Sequence, residues 1–245
     1  MYKKVKIFDT PHELSDSFAA EFKKGCDEVI SNKGTFNIAI SGGSTPKLLF
    51  EVLAKDYKNK IDWMKVNIFW VDERCVPPDD EESNFGMTKK ILLNKVSLPE
   101  SNVHRIFGEN EPQKEAIRYS EIIKYNLNFK NGFPVFDLIL LGVGDDGHTA
   151  SIFPDQMKLL NSKNICGVAI HPVSRQKRIT LTGKIINNAE RIYFLVTGKS
   201  KAIIISEILN KKDGYLKYPA AHINSDSGNV SWYLDKDAAG LIMGK

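Results

Sequence analysis

Phe136-Asp137-Leu138-Ile139-Leu140-Leu141 runs straight into Gly142-Val143-Gly144-Asp145-Asp146-Gly147-His148. The first half is apolar at all but one position, as expected of a strand covered on both faces in a parallel sheet. The glycines and charges of the second half place a polar turn at its carboxyl end. Working outward, the same alternation recurs. Residues 5–8 read as a strand, and behind Pro11 the residues Leu14, Phe18, Phe22, Cys26 and Ile30 recur every four positions on one helical face. Residues 36–40 form a second strand ending in Ser41-Gly42-Gly43-Ser44-Thr45, with Pro46 opening the next helix. Residues 66–71 form a third, ending at Asp72-Glu73-Arg74. Asn84 precedes a helix through Met87, Ile91 and Leu92, residues 103–107 read as a short strand, and Ala116, Tyr119, Ile123 and Leu127 mark another helical face. Strands follow at 167–170, 179–181, 192–196 and 230–234, with a helix over 199–209. The alternation predicts an α/β fold with a doubly wound, mainly parallel sheet and helices on both faces. Ligands of such sheets sit beyond the carboxyl ends of the strands, where three of the most polar, glycine-rich segments fall.

The chain has 245 residues, with 34 Lys plus Arg against 30 Asp plus Glu, a net charge of +4. Apolar residues make up 42% and charged residues 26%. This is a globular composition, not that of a disordered charged tail. Four excess positive charges are too few to argue for nucleic acid, though they favour an anionic small molecule. No repeat or Gly/Ser linker divides the sequence, so one domain over residues 1–245 is expected. Cys26, Cys75 and Cys166 are odd in number, widely spaced and without a CxxC, suggesting neither disulfides nor zinc. The start, Met1-Tyr2-Lys3-Lys4-Val5-Lys6, lacks an apolar leader, and no run is long enough to span a membrane. A reduced, soluble, cytoplasmic protein is expected, with its oligomeric state left open and a monomer compatible.

Three segments can carry chemistry. In Ser41-Gly42-Gly43-Ser44-Thr45-Pro46 a glycine pair at a helix start offers backbone N–H groups and hydroxyls to a phosphate, though the spacing is not that of a P-loop; a tight turn with a hydroxyl cap is the plain alternative. In Asp72-Glu73-Arg74 the arginine offers a planar fork for a phosphate or a developing oxyanion, and Glu73 reads as the partner of an internal ion pair. Gly142 to Gly147 literally matches GxGxxG. Asp145 and Asp146 would repel a pyrophosphate there, Pro154 would cut the following helix short, and no ribose-binding acid follows about twenty residues on. A dinucleotide is therefore not expected. His148 is the better focus, because Asp146 and Thr149 can orient an imidazole able to take a proton from water near neutral pH. His12, His104, His171 and His222 read as structural or exposed. Arg178 and Lys201 are further candidate cations, whereas Arg175 and Lys177 read as solvated charges. No HExxH or close His/Cys cluster suggests a metal.

Taken together, Ile40-Ser41-Gly42-Gly43-Ser44-Thr45-Pro46, Trp70-Val71-Asp72-Glu73-Arg74, Ser83-Asn84-Phe85, Gly144-Asp145-Asp146-Gly147-His148-Thr149-Ala150-Ser151-Ile152-Phe153-Pro154, Arg178-Ile179-Thr180-Leu181-Thr182 and Gly198-Lys199-Ser200-Lys201-Ala202 resemble the 6-phosphogluconolactonases over nearly the full length. The resemblance implies hydrolysis of 6-phospho-D-glucono-1,5-lactone in the oxidative pentose phosphate pathway without metal or other cofactor. It also implies a Rossmann-like fold shared with glucosamine-6-phosphate deaminases. Those relatives usually read GHIAFNEP where this chain has Gly147 to Pro154, and the missing Asn-Glu counts against deamination. Asp145 stands where the lactonase loop often has proline, and Gly183-Lys184 replaces a more usual Leu-Pro.

On this reading His148 is the general base, oriented by Asp146. Arg74 stabilises the oxyanion or holds the substrate, and Asp72 hydrogen-bonds sugar hydroxyls or holds Arg74. Gly42, Gly43, Ser44 and Thr45 cradle the phosphate, with Arg178 and Lys201 as its cations. Direct attack by water is preferred over a Ser151 acyl-enzyme, since no GxSxG elbow is present. The competing functions are a glucosamine-6-phosphate deaminase/isomerase and a non-catalytic sugar-phosphate sensor.

Overall fold

The computed structural model describes residues 4–242, so Met1 to Lys3 of the charged start lie outside the described residues. The strands in chain order are β1 (Lys4–Phe8), β2 (Phe36–Ile40), β3 (Val66–Trp70), β4 (Asp72–Arg74), β5 (Val103–His104), β6 (Phe129–Lys130), β7 (Phe133–Pro134), β8 (Leu138–Leu141), β9 (Cys166–Ile170), β10 (Lys177–Leu181), β11 (Ile192–Val196) and β12 (Val230–Asp235). The α-helices are α1 (Pro11–Lys33), α2 (Ser44–Asp56), α3 (Asn84–Ile91), α4 (Pro112–Asn126), α5 (Gly183–Asn187), α6 (Ala202–Leu209) and α7 (Lys236–Ala239).

Seven strands form a central sheet in the order β1-β12-β11-β8-β2-β3-β5, and every pairing in it is parallel. The apolar runs read from the sequence are these strands. All four residues of β8 and all five of β11 are buried, as sterically expected where helices cover both faces. Leu14, Phe18, Phe22 and Cys26 are the buried face of α1, while Ile30, at its end, is only partly covered. Thr10 caps that helix and Gly34, in the left-handed conformation, ends it. In the core Phe194 and Trp232, on adjacent strands, stack with centroids 4.0 Å apart.

The chain winds in two directions from the middle of this sheet. From β2 it moves outward to β3 and β5; from β8 it moves the other way to β11 and β12. The boundary between β2 and β8 is the topological switch point, where the loops beyond the two strands diverge and leave a crevice. Ser41 Oγ donates to the Leu140 carbonyl at 2.7 Å and ties the two strand ends together.

Several expectations need correction. Residues 72–74 are not a loop at the end of a parallel strand but a strand of a second sheet, β4-β10-β9, which is antiparallel. Val71 is the joint: its N–H donates to Ile40 in the main sheet and its carbonyl accepts from Leu181 in the small one. The strands predicted at 167–170 and 179–181 therefore belong to the small sheet. The helix assigned to Pro46 begins at Ser44, with proline inside its first turn, where its missing N–H leaves no bond unmade. Asn84 is the first residue of α3, capped by Ser83. The strand at 103–107 is only two residues long, and residues 199–201 are a 3-10 turn before α6. The β6–β7 hairpin and α5 carry no signal strong enough to have been read.

Candidate active site

The crevice at the switch point is lined on one side by Ser41, Gly42 and Gly43 beyond β2 and on the other by Gly142, Val143 and Gly144 beyond β8. The small sheet closes a third wall with Asp72, Arg74 and Arg178, and His148 completes it. Ser44, Thr45 and Lys201 line an adjoining pocket that shares Gly42, Gly43, Gly142 and Val143 with the first. The predicted site residues thus converge, but as two connected chambers: Arg178 belongs to the imidazole side and Lys201 to the hydroxyl side.

Two glycines are dictated by close approach. A Cβ on Gly144 would sit 2.1 Å from the His148 ring, and one on Gly42 would sit 1.8 Å from Asn84 Oδ1. Both distances are far inside van der Waals contact, so the loops pass where only glycine leaves room.

His148 is held on three sides. Its Nδ1 lies 2.6 Å from Asp146 Oδ1, and its backbone N–H donates to the same oxygen at 3.0 Å. Its ring lies 4.8 Å from that of the fully buried Phe153. Burial raises the Asp146 carboxyl, but the hydrogen bonds and charge of His148 outweigh it and bring the pKa down to about 2. An ionised Asp146 can only accept, so in the neutral ring it is Nδ1 that carries the proton and Nε2 that presents the lone pair. Ala150, two residues on, takes a positive φ of 48° in the turn that follows.

Asp72 is buried, and its Oδ2 accepts a 2.6 Å hydrogen bond from Ser151 Oγ. It makes no ion pair with Arg74 among the described residues, so the expected hold on Arg74 is absent. Ser151 is fully buried. Its hydroxyl serves a carboxylate rather than facing the cleft, which argues against the acyl-enzyme alternative on geometric grounds. Asn84, unassigned from the sequence, lines the cleft and donates to the Asp72 carbonyl at 3.0 Å.

Glu73 corrects another expectation. It is in no ion pair among the described residues. Its carboxylate accepts from the backbone N–H groups of Arg74, Asn84 and Phe85 and from Ser83 Oγ, so it caps the start of α3. Burial pushes its pKa up, against those same backbone donors.

Arg74 and Arg178 face each other across the β4–β10 ladder. Like charges directly opposite repel, and both side chains bury an Nε that has no partner among the described residues. Arg74 spends one Nη on the Glu82 carbonyl at 2.5 Å. Arg178 makes no hydrogen bond or ion pair among the described residues and lies 5.7 Å over the Phe153 ring. Burial lowers its pKa, opposed by the Asp72 charge. Two facing arginines, each with a buried Nε short of a partner, favour an anion between them.

In the adjoining pocket Thr45 Oγ1 and Thr197 Oγ1 are 2.7 Å apart, and Lys201 Nζ bonds Asp145 Oδ1 at 2.6 Å. The start of α2 behind them has no side-chain cap, which leaves its N–H groups to other acceptors. Cys75, next to Arg74, is raised to about 11, mainly by burial, and so is not a thiolate near neutral pH.

Fold and cleft together define an α/β protein with an imidazole and two arginines gathered at the sheet's switch point. The pattern of the family described as glucosamine-6-phosphate isomerases/6-phosphogluconolactonase matches residues 9–232, and the chain belongs to this family. A 6-phosphogluconolactonase of Haemophilus influenzae is 48% identical to it over 238 residues, spanning 96% of this chain and 98% of the relative. The solved 6-phosphogluconolactonase of Trypanosoma brucei superposes with a TM-score of 0.85 at 30% identity, covering 97% of this chain and 98% of that one. A monomeric glucosamine-6-phosphate deaminase shares the fold, with a TM-score of 0.81 at 21% identity over 97% of this chain and 99% of its own. No helix among the described residues is long and apolar enough to cross a membrane.

Proposed function

We propose that the chain hydrolyses 6-phospho-D-glucono-1,5-lactone to 6-phosphogluconate, the lactone-opening step of the oxidative pentose phosphate pathway, by His148-assisted attack of water. The observation that carries this reading is the meeting, in one cleft, of an imidazole with a free Nε2 and two facing arginines short of acceptors.

Nε2 of His148 takes a proton from water as its oxygen bonds to the lactone carbonyl carbon. Asp146 stabilises the resulting imidazolium, which then returns the proton to the ring oxygen as the C–O bond breaks. Positioned proton transfer of this kind contributes about 10²–10⁴-fold. Arg74, half-buried on the cleft wall, faces the charge that develops on the carbonyl oxygen. Asp72, its second oxygen held by Ser151, accepts from sugar hydroxyls. The phosphate lies over the Gly42-Gly43 turn against Ser44 and Thr45, between Arg178 on one rim and Lys201 on the other. Every step uses side chains of this chain alone. The free thiols of Cys26, Cys75 and Cys166 support the cytoplasm as its compartment, and the whole chain reads as one catalytic unit.

Freshly made lactone, assayed through 6-phosphogluconate dehydrogenase against the spontaneous background, tests this directly. His148→Asn is expected to lower kcat by about 10²–10⁴-fold with little change in KM. Near-normal turnover by that variant removes His148 from the mechanism. Ammonia release from glucosamine 6-phosphate would instead reveal a deaminase, and binding of 6-phosphogluconate without turnover a sensor.

A further inference from the structure

Lys201 is the one cation of the hydroxyl-side pocket's lining, and it is already engaged. Its side chain is 18% exposed, and its ammonium donates to Asp145 at 2.6 Å. Asp145 lies on the catalytic loop between Gly144 and Asp146, and its own side chain is 75% exposed. No fold requirement holds the carboxylate there: it caps no helix and fills no core, and its side-chain partners are Lys201 and, more weakly, Ser200. The Lys201 hydrogen bond keeps the Asp145 carboxyl below its ordinary range, so it is anionic wherever the enzyme works.

The rest of that pocket suits a larger anion. The Ser44 and Thr45 hydroxyls stand at the uncapped start of α2, with Thr197 opposite Thr45. A carboxylate on an exposed side chain therefore occupies the one ammonium in the lining of a chamber that suits oxyanions. We propose that Asp145 is a resident counter-anion for Lys201, which the phosphate of the substrate must displace to bind. This rests on the phosphate reading of that pocket and deepens it. A dianion that also engages the hydroxyls, the α2 backbone and Arg178 outcompetes the carboxylate. An anion meeting Lys201 alone does not. Asp145 thereby sets a threshold of affinity, weakening free inorganic phosphate and the departing product along with the substrate.

The experiment compares Asp145→Asn, Lys201→Ala and the double variant with the parent enzyme. The readouts are KM for the phosphorylated lactone and competitive inhibition by inorganic phosphate. An exposed ion pair of this type is worth about two- to fivefold. Asp145→Asn is expected to lower KM and the phosphate inhibition constant by about that factor, with kcat unchanged and with no effect on unphosphorylated gluconolactone. In the Lys201→Ala background the same substitution should do nothing. If Lys201→Ala raises KM while Asp145→Asn leaves both constants unchanged or raises them, the counter-anion role is wrong and the phosphate pocket stands. If Lys201→Ala leaves KM unchanged, the pocket reading fails and the role of Asp145 falls with it.

Discussion

Gly144 shows how closely one residue's missing atoms can be tied to chemistry. The His148 ring occupies the space where a Cβ would lie, 2.1 Å away. Gly144→Ala must push the ring off Asp146 or move the loop. A displacement of about 1 Å at a reacting group can cost on the order of 10²-fold. We expect that loss in kcat, with an unchanged far-ultraviolet spectrum and thermal midpoint; full activity would show the loop to be free to yield. At this scale the sequence was informative where partners are neighbours. Asp146 and His148, two positions apart, could be paired on sight. The bond from Ser151 to Asp72 spans 79 positions, and no local pattern announces it. Glu73 was misread for a related reason. Most of its partners are backbone N–H groups, two of them in a helix that begins eleven residues later, and backbone donors leave no trace in side-chain chemistry.

Among elements, the long apolar strands were legible because burial on both faces writes itself as an unbroken run. β4 was not, because three charged residues have no period and their strand character comes wholly from pairing with β10. β5, only two residues long, makes a prediction of its own. Its His104 stacks on Phe69 at 4.3 Å and pairs with Asn67, and burial lowers its pKa to about 4. The unfolded chain holds a proton on this ring below about 6.5. The native state therefore binds fewer protons between those values, and stability rises with pH across the window. The contribution is complete above about 6.5 and is lost as pH falls through about 4. In urea melts, the midpoint of the parent protein should fall more between pH 7 and pH 4.5 than that of His104→Leu. Equal falls would place the ring's titration elsewhere.

For the whole molecule, a net charge of +4 is modest, and in the cleft lining two arginines stand against the one carboxylate of Asp72. Arg74 and Arg178 face each other there without acceptors for their Nε atoms. A dianionic substrate should feel this field, and salt should screen it, since the Debye length falls from about 10 Å at 0.1 M to about 3 Å at 1 M. We expect KM for the phosphorylated lactone to rise several-fold between 0.05 and 0.5 M salt on the order of this screening. Gluconolactone without phosphate should show almost no change; a parallel rise for both would mean that salt acts on the fold instead.

The strand order holds one more consequence. β12 lies between β1 and β11 and, among the described residues, is the only strand that β1 pairs with. During synthesis β1 must wait for β12, which follows it by more than two hundred residues. At about 5–20 residues per second that interval is on the order of ten to forty seconds. Until then β1 keeps an open edge and β11 lacks a neighbour, so a nascent chain already carrying every residue of the cleft still has an unclosed sheet. Truncation within β12 would leave a gap inside the sheet rather than trim its rim.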